Sequence, residues 1–394
     1  MTDPAIGGTC APDFKAVRDA FRENFSNRSE IGAAVCVYQN GEKVVDLWGG
    51  WRDAARTEPW TADTIVLMNS VAKSICALAV HVLADRGRLD IDAQVARYWP
   101  EFADYGKGSV LVRHVLAHVC GVIYADAAKP GDWFDYPAQV QAIAQQPPAW
   151  PAGSKGAYNS INIGFTLGEI VRRITGKTVG TFIREEISRP LNAEYNIGLT
   201  PAEGRLVATM HSNPENRFWA AGATPGSNLN RAWKGRPQRP DMLNCREIRE
   251  GELPSFGGHG NARGIARIYA MLAGRGTLDG VRILQPATVH RLSQQQWEGE
   301  CGMTGWSLRM ALGFWMNSPP HTPMGSNMKA IGHLGSGGAL GFADLERGLA
   351  FSYCTNFQCE GTGAGVRCRS LVEAAAGKAP QWTPGISQVI MAAS

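Results

Sequence analysis

The chain has 394 residues, 44% hydrophobic and 19% charged, which is enough to bury a large core and is the composition of a globular protein. Its 39 basic and 35 acidic residues leave a net charge of +4, too weak and too scattered to point to nucleic acid or an anionic membrane. No uninterrupted apolar segment nears the ~20 residues of a membrane span.

In chain order, the opening stretch MTDPAIGGTCAPDF shows no basic run followed by an apolar one, so no secretory leader is expected. Nine cysteines, spread from Cys10 to Cys368, read as reduced thiols in a cytoplasmic protein rather than a disulfide framework. Residues 31–53 predict a hairpin, two apolar runs around Asn40-Gly41. In NSVAKSICALAVHVLADRG, residues 69–87, apolar Ile75, Leu78, Ala79, Val82 and Leu83 mark one buried helix face, and Gly87 is a natural stop. Helical patterns dominate from 70 to about 230; one helix is expected over 163–175, closed by Gly176. Residues 212–258, rich in Pro, Gly, Asn and Arg, read as long surface loop, and 261–277 as another helix. SLRMALGFWM alternates Leu308, Met310, Leu312 and Phe314 on one face of a strand, and GGALGFADLERGLAFSYCTN reads as two strands around a turn near Glu346–Gly348. Strands thus sit at both ends with helices between, an arrangement in which distant strands share one sheet and the middle forms an inserted lobe.

Ser70 lies at the start of the first patterned helix, and Lys73, three residues on, faces the same side. A serine there can be a plain N-cap and the lysine a solvated one. Alternatively, a desolvated lysine loses its proton more easily and activates the hydroxyl, while the serine amide meets a developing oxyanion. A second Ser-x-x-Lys, Ser326 to Lys329, leads into a glycine-rich stretch and reads as coincidence. A Ser-Lys pair needs a third group to carry the proton to the leaving group. Tyr158, followed by Asn159 and Ser160, supplies a phenol, which flanking cations would favour as phenolate. GHLGSGGALGF places His333 with Gly335, Gly337, Gly338 and Gly341 at a strand start, where glycines let a ligand approach the backbone. Other chemistries lack support. No Gly-x-Ser-x-Gly elbow, phosphate loop or dinucleotide fingerprint occurs. His114 and His118 have metal-capable i, i+4 spacing but no intervening glutamate, and Cys354, Cys359 and Cys368 form no CxxC pair. Of the 12 tryptophans, Trp133, Trp150, Trp219 and Trp233 are candidates to wall an apolar acyl or aryl pocket.

Together Ser70-x-x-Lys73, Tyr158-x-Ser160 and His333-x-Gly335 resemble the motifs of the serine β-lactamase and penicillin-binding-protein superfamily, and class C β-lactamases and family VIII carboxylesterases above all. VRHVLAHVCGV, ISRPLNA and GGHGNARGIARIYAMLAGRGTLDG are similar to family segments too, so the likeness runs over residues 15–375. The resemblance implies an α+β fold: an antiparallel sheet flanked by helices (1–69 and 300–394), a mainly helical lobe (70–299), and an active site in the cleft between them within one catalytic unit. It implies Ser70 as acylated nucleophile, Lys73 as its activator and Tyr158 as proton shuttle. The amides of Ser70 and Ser336 would form the oxyanion pair, and Ser160, His333, Gly335 and Gly337 would bind substrate. No metal or cofactor is implied. His333 stands where β-lactam-reactive members carry a lysine, and Ser160 where many carry asparagine. A neutral imidazole anchors a carboxylate less well than an ammonium. The expectation is therefore an esterase acting on a small-molecule ester, with weak β-lactamase activity at most. Lactamase, D-amino peptidase, amidase and acyltransferase are the alternatives on the same scaffold, and a non-catalytic binding protein is the remaining one.

Overall fold

Asn40 and Gly41 turn as expected, both with positive φ (51° and 83°), and strands Gly32–Gln39 and Glu42–Gly50 pair antiparallel around them. The computed structural model describes residues 6–383 and 388–389; the first five residues of the stretch read for a leader, and the last part of the 300–394 segment, lie outside the described residues. The hairpin belongs to a ten-stranded antiparallel sheet. Its order is Ile6–Cys10, Glu42–Gly50, Gly32–Gln39, Leu349–Thr355, Leu340–Asp344, Ile331–Leu334, Trp315–Met316, Ser307–Met310, Trp297–Glu300 and Gln388–Val389. Val35 lies opposite Tyr353, so strands from the N-terminal and C-terminal parts of the sequence pair in mid-sheet. Every residue of Leu349–Thr355 is buried, so the sheet is covered on both faces there. The helix Ala262–Ala273 packs on it, and Lys15–Asn27 packs with Gly365–Ala376.

The helix from Val71 to Asp85 differs from the one-faced pattern. All residues from Val71 to Leu83 are buried, because the helix is wedged between the strand Ile331–Leu334 and the helix Asn162–Thr175. The latter ends as its sequence predicts, with Gly176 left-handed and its N–H bonded to the Arg172 carbonyl. Helix Ala262–Ala273 stops at Gly274, and Thr277 already belongs to a small hairpin.

Two expectations are corrected. SLRMALGFWM is two short paired strands, Met310 opposite Trp315, around a turn that Gly313 makes at φ 88°; a Cβ there would lie 2.1 Å from Ala77. Residues 212–258 are not plain loop but hold helices Arg217–Ala223, Asn228–Ala232 and Arg246–Glu250. The first two are capped by Asn216 and Ser227 side chains, polar signals that composition alone conceals. A three-stranded sheet of Val66–Leu67, Gly258–Gly260 and Tyr195–Ile197 was not foreseen; it leads into Ser70. No helix among the described residues is long and apolar enough to cross a membrane.

Candidate active site

Ser70 is the N-cap of its helix, yet its side chain makes no cap hydrogen bond. Its Oγ instead accepts from Lys73 Nζ at 2.9 Å and from the Tyr158 hydroxyl at 2.8 Å. The plain capping reading therefore fails. Lys73 is 1% exposed, and its amine also donates to the Ser255 carbonyl at 2.8 Å. Burial holds this ammonium well below the usual lysine range. Burial likewise pushes the Tyr158 phenol above its ordinary value. Of the cations expected to flank that phenol, Lys73 alone lies over its ring among the described residues, with Nζ 5.2 Å from the ring centre. The rings around it are Trp315 at 5.1 Å, His118 at 5.7 Å, His333 at 6.2 Å and Phe218 at 6.5 Å. Burial keeps both imidazoles neutral, His118 at about 3. Tyr158 is thus a protonated phenol in the resting site.

Ser336 follows strand Ile331–Leu334 and approaches Ser70 because residue 335 has no side chain: a Cβ on Gly335 would lie 2.2 Å from the Met68 carbonyl oxygen. The glycine thus admits protein backbone where a ligand was expected. Asn69, left-handed at φ 49°, ties the two segments together by donating Nδ2 to the Ser336 carbonyl at 2.7 Å. Among the described residues, neither the Ser70 nor the Ser336 N–H meets an acceptor. Two free amides beside a doubly hydrogen-bonded serine can receive an oxyanion.

The cleft has two lobes that share Ser70, Tyr158, Phe218 and Ser336. One is walled by Trp306, Trp315, Leu334 and Gly337. The other is walled by Trp133, Trp219, Trp233, Phe256 and Ser160, whose Oγ accepts from Trp233 Nε1 at 3.2 Å. No charged side chain lines either lobe among the described residues. Trp150 lies elsewhere, with its Nε1 on the Lys155 carbonyl. His333 is fully buried behind Tyr158 rather than in the cleft, because successive strand residues face opposite sides and Leu334 takes the cleft side. Its Nδ1 lies 2.8 Å from the Leu334 carbonyl.

The second Ser-x-x-Lys is remote: Ser326 Oγ donates to the Ala376 carbonyl and Lys329 pairs with Glu346 on the surface. His114 Nδ1 accepts from the Leu111 N–H at the start of a short helix. Cys120, Cys354, Cys359 and Cys368 are buried free thiols. Asn69, His118, Phe218 and Ser255 were not foreseen as part of the site. Asn69 adjoins the nucleophile motif and was within reach; Ser255 and Phe218 lie in the stretch read as loop.

A family model described as Beta-lactamase matches residues 17–376. Among curated proteins, the esterase/beta-lactamase LipL of Mycobacterium tuberculosis is 31% identical over 360 residues, 89% of this chain and 83% of that protein. Among solved structures, a family VIII carboxylesterase is 36% identical with a TM-score of 0.86, over 94% of this chain and 99% of that one. A penicillin-binding-protein homologue from Caulobacter crescentus is 35% identical with a TM-score of 0.84, over the same shares. With the matched region enclosing Ser70, Lys73, Tyr158 and Ser336 on a ten-stranded antiparallel sheet with helices, the chain belongs to the beta-lactamase family.

Proposed function

We propose that this protein is a serine hydrolase that cleaves uncharged carboxylic esters through an acyl-enzyme on Ser70. The observation that carries the reading is the shared oxygen: Ser70 Oγ lies within hydrogen-bonding distance of both a buried amine and a buried phenol. The neutral Lys73 amine keeps one N–H on the Ser255 carbonyl and turns its lone pair to the Ser70 proton. Ser70 Oγ attacks the ester carbonyl, and the oxyanion forms against the Ser70 and Ser336 amides. The alcohol leaves with the Tyr158 proton, which the Lys73 ammonium restores; water then reverses the sequence. The esterase relatives and the uncharged walls of both lobes support esters over carboxylate-bearing lactams, with β-lactam turnover at most a side activity. Nine unpaired thiols support a reducing, cytoplasmic setting.

The test is hydrolysis of p-nitrophenyl butyrate beside a chromogenic cephalosporin. Ser70→Ala is expected to remove ester turnover and labelling by a phosphonate ester. Wild-type turnover by that variant would end the assignment, and faster cephalosporin than ester turnover would reverse the substrate order.

A further inference from the structure

We propose that His118 is the positioning residue that aims the Tyr158 hydroxyl at Ser70, an inference that rests on the Ser-Lys-Tyr reading above. The chain around the tyrosine is gripped on both sides by this one residue. The His118 carbonyl accepts from the Ala157 N–H at 3.0 Å, and its Nδ1 accepts from the Asn159 N–H at 2.9 Å. Tyr158 is the residue between, and its ring lies 5.7 Å from the imidazole at 31°.

The backbone fixes which way the imidazole leaves the chain. His118 is left-handed at φ 59°, a conformation that non-glycine residues seldom adopt, and it is 1% exposed. Accepting at Nδ1 requires a neutral ring with its proton on Nε2, and burial keeps the ring neutral. Asn159 passes the constraint on: its Nδ2 donates to the Val122 carbonyl, and its Oδ1 accepts from the Ile163 N–H in the first turn of helix Asn162–Thr175. A third fastener is the Tyr158 N–H, which donates to Cys301 Sγ at 3.1 Å. The 2.8 Å bond from Tyr158 to Ser70 is the free end of this assembly.

The experiment compares p-nitrophenyl butyrate kinetics for the wild type, His118→Ala, His118→Asn, Tyr158→Phe and the His118→Ala/Tyr158→Phe double variant, with Ser70→Ala as baseline. Loosening the phenol is expected to lower kcat of His118→Ala by about 10²-fold, the scale of an ångström of misplacement, with KM within about threefold. In the Tyr158→Phe background the same change is expected to cost less than about twofold, because there is no hydroxyl left to aim. His118→Asn is expected to recover kcat to within about fivefold of wild type, since asparagine tolerates the left-handed backbone and offers Oδ1 where Nδ1 stood. Unchanged kcat in His118→Ala, or an equal loss in both backgrounds, would overturn the proposal. If His118→Ala does not fold, His118→Asn decides alone: recovery supports the role, and a folded variant with the full loss refutes it. Wild-type turnover by Ser70→Ala or Tyr158→Phe would instead remove the underlying mechanism, an outcome distinct from failure at His118.

Discussion

Lys73 is buried, and its amine donates to a hydroxyl and a carbonyl, neither of which stabilises an ammonium as a carboxylate would. Its folded pKa lies well below the unfolded value, so between the two the unfolded chain binds a proton that the native state does not. Stability therefore rises with pH across that window, and the penalty is absent above an unfolded pKa of about 10.4. Lys73→Met removes the penalty and loses about 1 kcal/mol of hydrogen bonding. The variant is expected to unfold at higher urea than wild type at pH 7, with the gain shrinking toward pH 10, while ester turnover falls by about 10²-fold or more. Urea midpoints at the two pH values check this; a gain of equal size at both would show that the amine is not held neutral. The Ser70-x-x-Lys73 spacing made this pair legible, because i and i+3 on a helix share a face whatever the tertiary fold. The state of Tyr158 was not legible, since it depends on rings contributed by His118, Trp315 and His333.

The helix Gly365–Ala376 supports the site from behind through Arg367. Its guanidinium donates to Glu30 at 2.6 Å, to the Phe357 carbonyl at 2.6 Å and to the Gln358 carbonyl at 3.1 Å, and the Glu30 carboxylate also accepts from Tyr353 and Thr355. The loop so held includes Cys359, whose N–H donates to the Gly337 carbonyl, and Thr362 and Gly363, which border the cleft. Arg367→Met strands a buried carboxylate and is expected to cost about 3–5 kcal/mol. Glu30→Leu/Arg367→Met is expected to cost less than the sum of its single variants, because each single leaves a partner unpaired. Urea titration of the four proteins measures the coupling; strict additivity would show that the pair is not the source. Glu30 and Arg367 are 337 positions apart, and no local pattern pairs them. The same holds for the helices within 212–258, whose caps were visible as single residues but not as elements.

At the scale of the whole molecule, the site exists because strands from the N-terminal and C-terminal parts of the chain share one sheet, and residues 335–336, which follow the inner strand Ile331–Leu334, lie against the start of the buried helix. The likeness of ordered motifs foretold that three distant segments converge, and the architecture follows from it. What the motifs did not carry was the contact that sets the approach of Ser336 to Ser70, because a glycine read from sequence does not say what approaches it. Here Met68 does. A Cβ on Gly335 would stand 2.2 Å from the Met68 carbonyl oxygen and 3.2 Å from the Ala339 Cβ, so the strand and the Met68–Ser70 segment must part. The carbonyl is backbone and cannot swing aside as a side-chain tip could, and parting stretches the 2.7 Å Asn69–Ser336 bond. Gly335→Ala is therefore expected to lower kcat by about 10²-fold through misplaced oxyanion donors. The overpacking itself costs about 1–3 kcal/mol, which a fold of this size survives. Phosphonate labelling of Ser70 is expected to slow in parallel, since that reaction also develops charge on an oxygen facing the two amides. A folded Gly335→Ala protein, by circular dichroism, that keeps wild-type kcat would mean that the Ser336 amide is not an oxyanion donor, and the hole would then have to be sought around Ser70 alone.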